Sequence, residues 1–138
     1  MFSSFCGEIG YGVRINQGLK IYGDSKVLIG DNSWVGINCM ISSSKPGFVK
    51  IGNNCDIAPN VSFINGTHEI GNGNRRAGTG KTFDISIGDG VWIGASSTIH
   101  GGAIIGSGSI IASGSIVMKG GFPKNVILGG VPAKIIKK

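Results

Sequence analysis

Two histidines are the side chains of this 138-residue chain best suited to take up a proton near neutral pH. His68 stands where a regular stretch gives way to THEIGNGNRRAGTGKTFD, residues 67–84, which is polar and glycine-rich and carries Arg75, Arg76 and Lys81. A base beside a segment that can wall a cleft is a candidate for acid–base work. His100 sits in a regular repeat and is the weaker candidate. Two histidines do not make a three-histidine zinc site unless subunits share ligands. No G-x-S-x-G elbow and no phosphate-binding P-loop occur, and Ser42, Ser43 and Ser44 read as turn chemistry. The three cysteines, Cys6, Cys39 and Cys55, have no metal-ligand spacing and read as reduced thiols of a cytoplasmic protein.

Charge points to an anionic ligand. Lysine and arginine number 13 against 7 acids, a net charge of +6. From Gly90 to the C-terminus there is no acid, but there are five lysines: Lys119, Lys124, Lys134, Lys137 and Lys138. Basic and aromatic residues are not interleaved, so nucleic acid is not the expected partner. No apolar run is long enough to span a membrane, and Met1–Phe5 lacks the basic and apolar regions of a signal peptide.

The elements that position these groups follow from glycine, 26 residues of the 138. So much glycine argues against helices. Collagen is excluded by the four prolines and the missing Gly-X-Y period. The period is instead six. Ile87, Ile93, Ile99, Ile105, Ile111 and Val117 keep it strictly, and upstream it recurs in three triplets: Ile9/Ile15/Ile21, Ile29/Val35/Ile41 and Ile51/Ile57/Phe63. Four residues after most anchors comes a small residue, including Ser33, Cys39, Cys55, Val61, Val91, Ser97, Ala103, Ser109 and Ser115. Short strands separated by turns explain this pattern. Alternation sends the aliphatic and the small residue to the same face, and three hexads close a triangle of 18 residues. Cys39 and Cys55 then fall inside, as inert buried thiols.

The anchors predict a single all-β domain over 1–138, a parallel β-helix of about five triangular coils at 9–28, 29–50, 51–68, 87–104 and 105–121. Residues 21–29 contain a two-residue slip. A four-residue slip around Lys45-Pro46-Gly47 predicts a bulge. A long loop is expected over 67–86 and a short tail, strand or helical turn, over 122–138. The thin core leaves exposed faces that predict an oligomer.

The hexad pattern, with IAPNV (57–61), Gly66-Thr67-His68, IGDGVWIGA (87–95), IIASGSIVMKG (110–120) and GGVPAKII (129–136), resembles the hexapeptide-repeat acetyltransferases, of the sugar O-acetyltransferase type. The resemblance implies a left-handed helix, where the general crossover rule favours the right-handed one. It implies a homotrimer with sites between subunits, acetyl-coenzyme A as acyl donor, no metal, and a saccharide acceptor: a polysaccharide, lipopolysaccharide or precursor sugar. On this resemblance His68 matches the catalytic histidine. Trp92 matches a tryptophan near the cofactor, and Ala95 and Ser113 match positions whose backbone meets pantetheine. Met118 and Lys119 match a cofactor-contacting pair, and Lys134 and Lys137 match residues that meet the coenzyme A phosphates. The family's acceptor-holding Asn falls at Gly36, so Asn38, two residues on, takes that role. Its acidic pair is replaced by the Lys45–Phe48 bulge. Arg75 and Arg76 are expected to line the acceptor cleft.

Other readings stay open. An amino sugar or an antibiotic is an alternative acceptor. A γ-type carbonic anhydrase shares the β-helix but needs more histidine. A non-catalytic or ice-binding solenoid would show regular threonine ladders, which are absent.

Overall fold

The computed structural model describes residues 7–138. Cys6 and the reading of Met1–Phe5 lie outside the described residues. The chain climbs in triangular coils, each side a strand of two or three residues. The first coil is β1 (Gly7–Ile9), β2 (Arg14–Ile15) and β3 (Lys20–Tyr22), and the second is β4 (Val27–Ile29), β5 (Trp34–Val35) and β6 (Met40–Ser42). The third is β7 (Val49–Ile51), β8 (Asp56–Ile57) and β9 (Ser62–Ile64). A hairpin follows, β10 (Gly66–Ile70) and β11 (Ala77–Thr82). The fourth coil is β12 (Ile85–Ile87), β13 (Trp92–Ile93) and β14 (Thr98–His100), and the fifth is β15 (Ala103–Ile105), β16 (Ile110–Ile111) and β17 (Ile116–Val117). Then come β18 (Gly120–Phe122), β19 (Ile127–Gly130) and β20 (Ala133–Lys137). Strands of successive coils pair in parallel on three faces, ordered β1-β4-β7-β12-β15-β18, β2-β5-β8-β13-β16-β19 and β3-β6-β9-β14-β17. Among the described residues there is no helix, so none is long and apolar enough to cross a membrane.

Each side sends residues two apart inward, as strand alternation requires. Val27 and Ile29, Ser33 and Val35, and Cys39 and Ile41 are buried in the second coil. Ile85 and Ile87, Val91 and Ile93, and Ser97 and Ile99 are buried in the fourth. The expected small positions from Ser33 to Ser115 are all inside. Inward serines satisfy themselves on corner carbonyls: Ser33 Oγ donates to Gly52 O at 2.8 Å and Ser97 Oγ to Ala112 O at 3.1 Å. The corners stack closely. A Cβ on Gly30 would lie 2.5 Å from the Gly52 carbonyl carbon, so glycine is the residue that fits there.

Two expectations change. There are six coils rather than five, because the expected tail carries β18 and β19, which continue the first two faces. The step from the fifth coil into the sixth is one residue short: Ile105 pairs with Phe122, 17 residues on, whereas Ile87 pairs with Ile105 at 18. That deletion hid it from a six-residue grid. Within the expected tail only β20 leaves the coils, turning back antiparallel on β19. The expected loop over 67–86 is the antiparallel hairpin β10–β11. It has no apolar alternation because it stands off the core, and its backbone is satisfied by its own ladder.

Every break in the grid falls at one corner, between the third face and the first face of the next coil. The two-residue slip, the Lys45–Pro46–Gly47 bulge, the hairpin and the one-residue deletion all lie there. Buried Asn65 secures this corner. Its Oδ1 accepts from Ser44 N at 2.8 Å and its Nδ2 donates to Ser44 O at 3.0 Å. The bulge is tied to the hairpin base by Gly47 N to Thr82 Oγ1 at 2.9 Å, and to the strand beyond by Phe48 N to Asp84 Oδ1 at 3.1 Å.

Asn65→Leu leaves two polar groups of Ser44 unpaired, at about 1–3 kcal/mol each. Thermal unfolding should show the midpoint falling on the order of 10 °C. An unchanged midpoint contradicts the clamp. Cys39 and Cys55 supply a second prediction. Burial pushes both thiols above their ordinary value of 9.0, with Asp89 adding to the rise at Cys55. A thiol whose pKa is higher folded than unfolded stabilises below the unfolded value and loses that contribution as pH rises through the folded one. Stability toward urea should therefore fall above about pH 9, and less steeply in Cys39→Ala/Cys55→Ala.

Candidate active site

The hairpin carries His68 away from the solenoid. His68 is exposed, and its Nδ1 lies 2.9 Å from Gly78 O on the opposite strand. A carbonyl only accepts, so Nδ1 donates and the neutral ring leaves its lone pair on Nε2. A bulge between His68 and Ile70 breaks the pairing register beside the imidazole, a device that re-aims side chains. At the tip, Asn72 Oδ1 accepts from Asn74 N at 2.9 Å and Arg75 N at 3.3 Å, and Gly71 N donates to Arg76 O at 2.8 Å. A Cβ on Gly71 would stand 2.1 Å from Arg75 O, and one on Gly78 2.8 Å from Glu69 O. These two glycines tighten the hairpin.

His68 borders two grooves. One, of about 450 Å³, runs between the bulge and the hairpin base and is lined by Ser44, Lys45, Pro46, Lys81 and Thr82 among others. The second, of about 400 Å³, runs toward the tip and includes Asn72 and Arg75. Lys81 Nζ lies 2.8 Å from Glu69 Oε1. Arg75 thus shares a groove with His68, while exposed Arg76 lines neither and instead closes the turn through its backbone.

The other expected residues occupy different places. Met118 and Lys119 sit at the corner that bears the hairpin, two coils further along. Lys119 Nζ stands 4.3 Å from the centroid of the Phe83 ring, at the hairpin base. Ala95 and Ser113 lie on successive coils at the corner between the second and third faces, where Gly114 N donates to Ala95 O at 2.8 Å. Asn38 is at that same corner, in the left-handed region at φ 56°, with its N–H on Gln17 O. Trp92 points outward from the second face, 56% exposed, between Asp56 and Ile110. Lys134 and Lys137 are exposed on β20. One chain therefore gathers His68, Arg75, Lys119 and Met118 along one corner and leaves Ala95, Ser113 and Asn38 on another. His100 is half-buried on β14 beside Ile64.

Lys45 and Lys81 line the groove beside His68 without being among the expected site residues. The signal that could have found them is the shared corner of every break in the six-residue grid. No three His, Cys, Asp or Glu side chains among the described residues stand close enough to hold a metal ion.

Comparison with known proteins agrees with this architecture. Residues 84–119 match the bacterial transferase hexapeptide (six repeats) model, and residues 26–62 match the hexapeptide repeat of succinyl-transferase. A Dictyostelium discoideum protein provisionally named an acetyltransferase is 36% identical over 132 residues, 96% of this chain and 68% of that protein. Galactoside O-acetyltransferase of Escherichia coli K12 is 39% identical over 114 residues, 83% of this chain and 55% of the enzyme. A galactoside acetyltransferase solved in complex with coenzyme A superposes with a TM-score of 0.75 at 34% identity, covering 93% of this chain and 65% of that one. The chain thus spans little more than half the length of the E. coli enzyme.

The hairpin tip is testable by itself. Gly71→Ala should loosen it, read as faster amide hydrogen exchange across 66–82, while exchange in the coils is unchanged. Equal protection in both proteins contradicts the close approach.

Proposed function

Because the chain belongs to the hexapeptide-repeat acetyltransferases, we propose that it moves an acetyl group from acetyl-coenzyme A to a saccharide hydroxyl. The supporting observation is the imidazole of His68, held by Gly78 O with Nε2 free beside two open grooves. Relatives that acetylate galactosides, and one solved with coenzyme A, support the donor and the acceptor class.

The chain has features that suit such a donor. The N–H groups of Ala95 and Ser113 donate to no acceptor among the described residues. A Cβ on Gly114 would meet nothing within 4 Å, so this corner lies open to an extended chain bearing amide carbonyls. Lys134 and Lys137 offer positive charge to phosphates. The donor supplies a thioester acyl carbon. His68 Nε2 removes the proton of the acceptor hydroxyl as its oxygen bonds to that carbon. It holds the proton while the carbon–sulfur bond breaks and returns it to sulfur, so that ester and free thiol leave in balance. His68 and the Ala95–Ser113 corner lie on different edges of one chain. A second copy is needed to bring one edge to the other, which supports a homotrimer with sites between subunits. The acceptor side of this reading comprises Asn38, Arg75 and Arg76, and the donor side Trp92, Met118 and Lys119.

Thiol release from acetyl-coenzyme A over a panel of sugars, amino sugars included, tests the proposal. His68→Ala should lower kcat by about 10²–10⁴-fold with the donor KM unchanged. Activity that survives the substitution overturns the role of His68.

A further inference from the structure

The charges around His68 are not balanced. The hairpin has one acid, Glu69, and Lys81 occupies it at 2.8 Å, the only ion pair among the described residues. That pairing leaves Arg75 without a carboxylate. Its guanidinium makes no hydrogen bond or ion pair within the described residues, although its backbone N–H is held by Asn72 Oδ1. The tip that presents it is further tied by Gly71 N to Arg76 O, so the side chain projects from a braced turn. The groove it shares with His68 is otherwise lined by Gly71, Asn72, Ala77 and Gly78, which carry no charge. On the other side of the imidazole, Lys45 lines the second groove with paired Lys81. Among the described residues, two cations without an ion-pair partner thus line the grooves beside the imidazole, and no carboxylate lines either groove.

A guanidinium is planar, always charged and forked, and it matches the paired oxygens of a carboxylate or phosphate. A neutral sugar gives such a group little to recognise. We propose that Arg75 is a specificity-determining residue that selects acceptors carrying an oxyanion near the hydroxyl addressed by His68. This inference rests on the acyl-transfer reading above and names its substrate class: acidic saccharides, with a carboxylate or a phosphate as the shared chemistry.

The test compares galactose with galacturonate and with galactose 6-phosphate, by thiol release and by calorimetric binding of the same sugars. Wild-type protein should favour the acidic sugars. Arg75→Gln should raise their KM by about 10–100-fold, the loss expected for a charge-assisted contact, with kcat held and a much smaller effect on galactose. Arg75→Lys should recover part of the loss, Lys124→Gln should change nothing, and the larger loss between the two acids identifies the preferred oxyanion. Equal use of acidic and neutral sugars by the wild type overturns the proposal, as does an Arg75→Gln effect that is the same for both. If no sugar releases thiol, the acyl-transfer reading fails and binding still decides the role of Arg75. An acid-over-neutral preference lost in Arg75→Gln supports it, and equal affinities overturn it.

Discussion

Parallel strands of successive coils hydrogen-bond at one sheet spacing, and that spacing governs the rest of this molecule. Ile87 stacks on Ile51 and Ile105, Ile93 on Ile57 and Ile111, and Ile99 on Phe63 and Val117. The triangle is too narrow for two large side chains on most sides, so a large inward residue is commonly paired with Ser, Cys, Ala or Val two positions before it. Corners must approach as closely as strands do. Gly30 and Gly52 have no room for a Cβ, and turn residues such as Asn32, Asn54 and Ser96 enter the left-handed region. Polar side chains then close the corner hydrogen bonds from coil to coil: Tyr11 N on Asp31, Asp31 N on Asn53, Asn53 N on Asp89 and Asp89 N on Ser107.

A scaffold this regular has few places to put anything else. An insertion within a side would throw the inward residues outward, since the strand period is two. Insertion at a corner leaves the sides intact. Here all insertions share a single corner, and they support one another: Asn65 grips the bulge, Thr82 and Asp84 receive its backbone, and Lys119 covers Phe83. The hairpin is held at its base by the solenoid and along its length by its own ladder. It can therefore project His68 into solvent without leaving backbone groups unpaired.

Much of this was legible in the residues. The six-residue spacing gave the all-β coils, the inward cysteines and the position of the Lys45–Phe48 bulge, because stacking imposes the same demand on every turn. The sixth coil was not legible. Phe122 and Leu128 keep the spacing between themselves, but one missing residue shifts them off the grid. The hairpin was not legible either, since THEIGNGNRRAGTGKTFD has no apolar alternation and reads as a polar, glycine-rich loop. Gly71 and Gly78 serve instead where backbone approaches too closely for a side chain, while Gly73 and Gly80 stand in open space.

The sequence by itself determined the solenoid, because a periodic core is a local rule repeated, and it singled out His68 as the candidate base beside the one long interruption. Only the tertiary structure decided which residues keep His68 company. Gly78 lies ten residues away and orients the ring, Arg75 reaches its groove across a turn, and Lys45 arrives from the coil below. It also separated Ala95 and Ser113 from His68 onto another edge. Those relations depend on which corner each break occupies. That follows from the closure of three faces in space and not from any spacing along the chain.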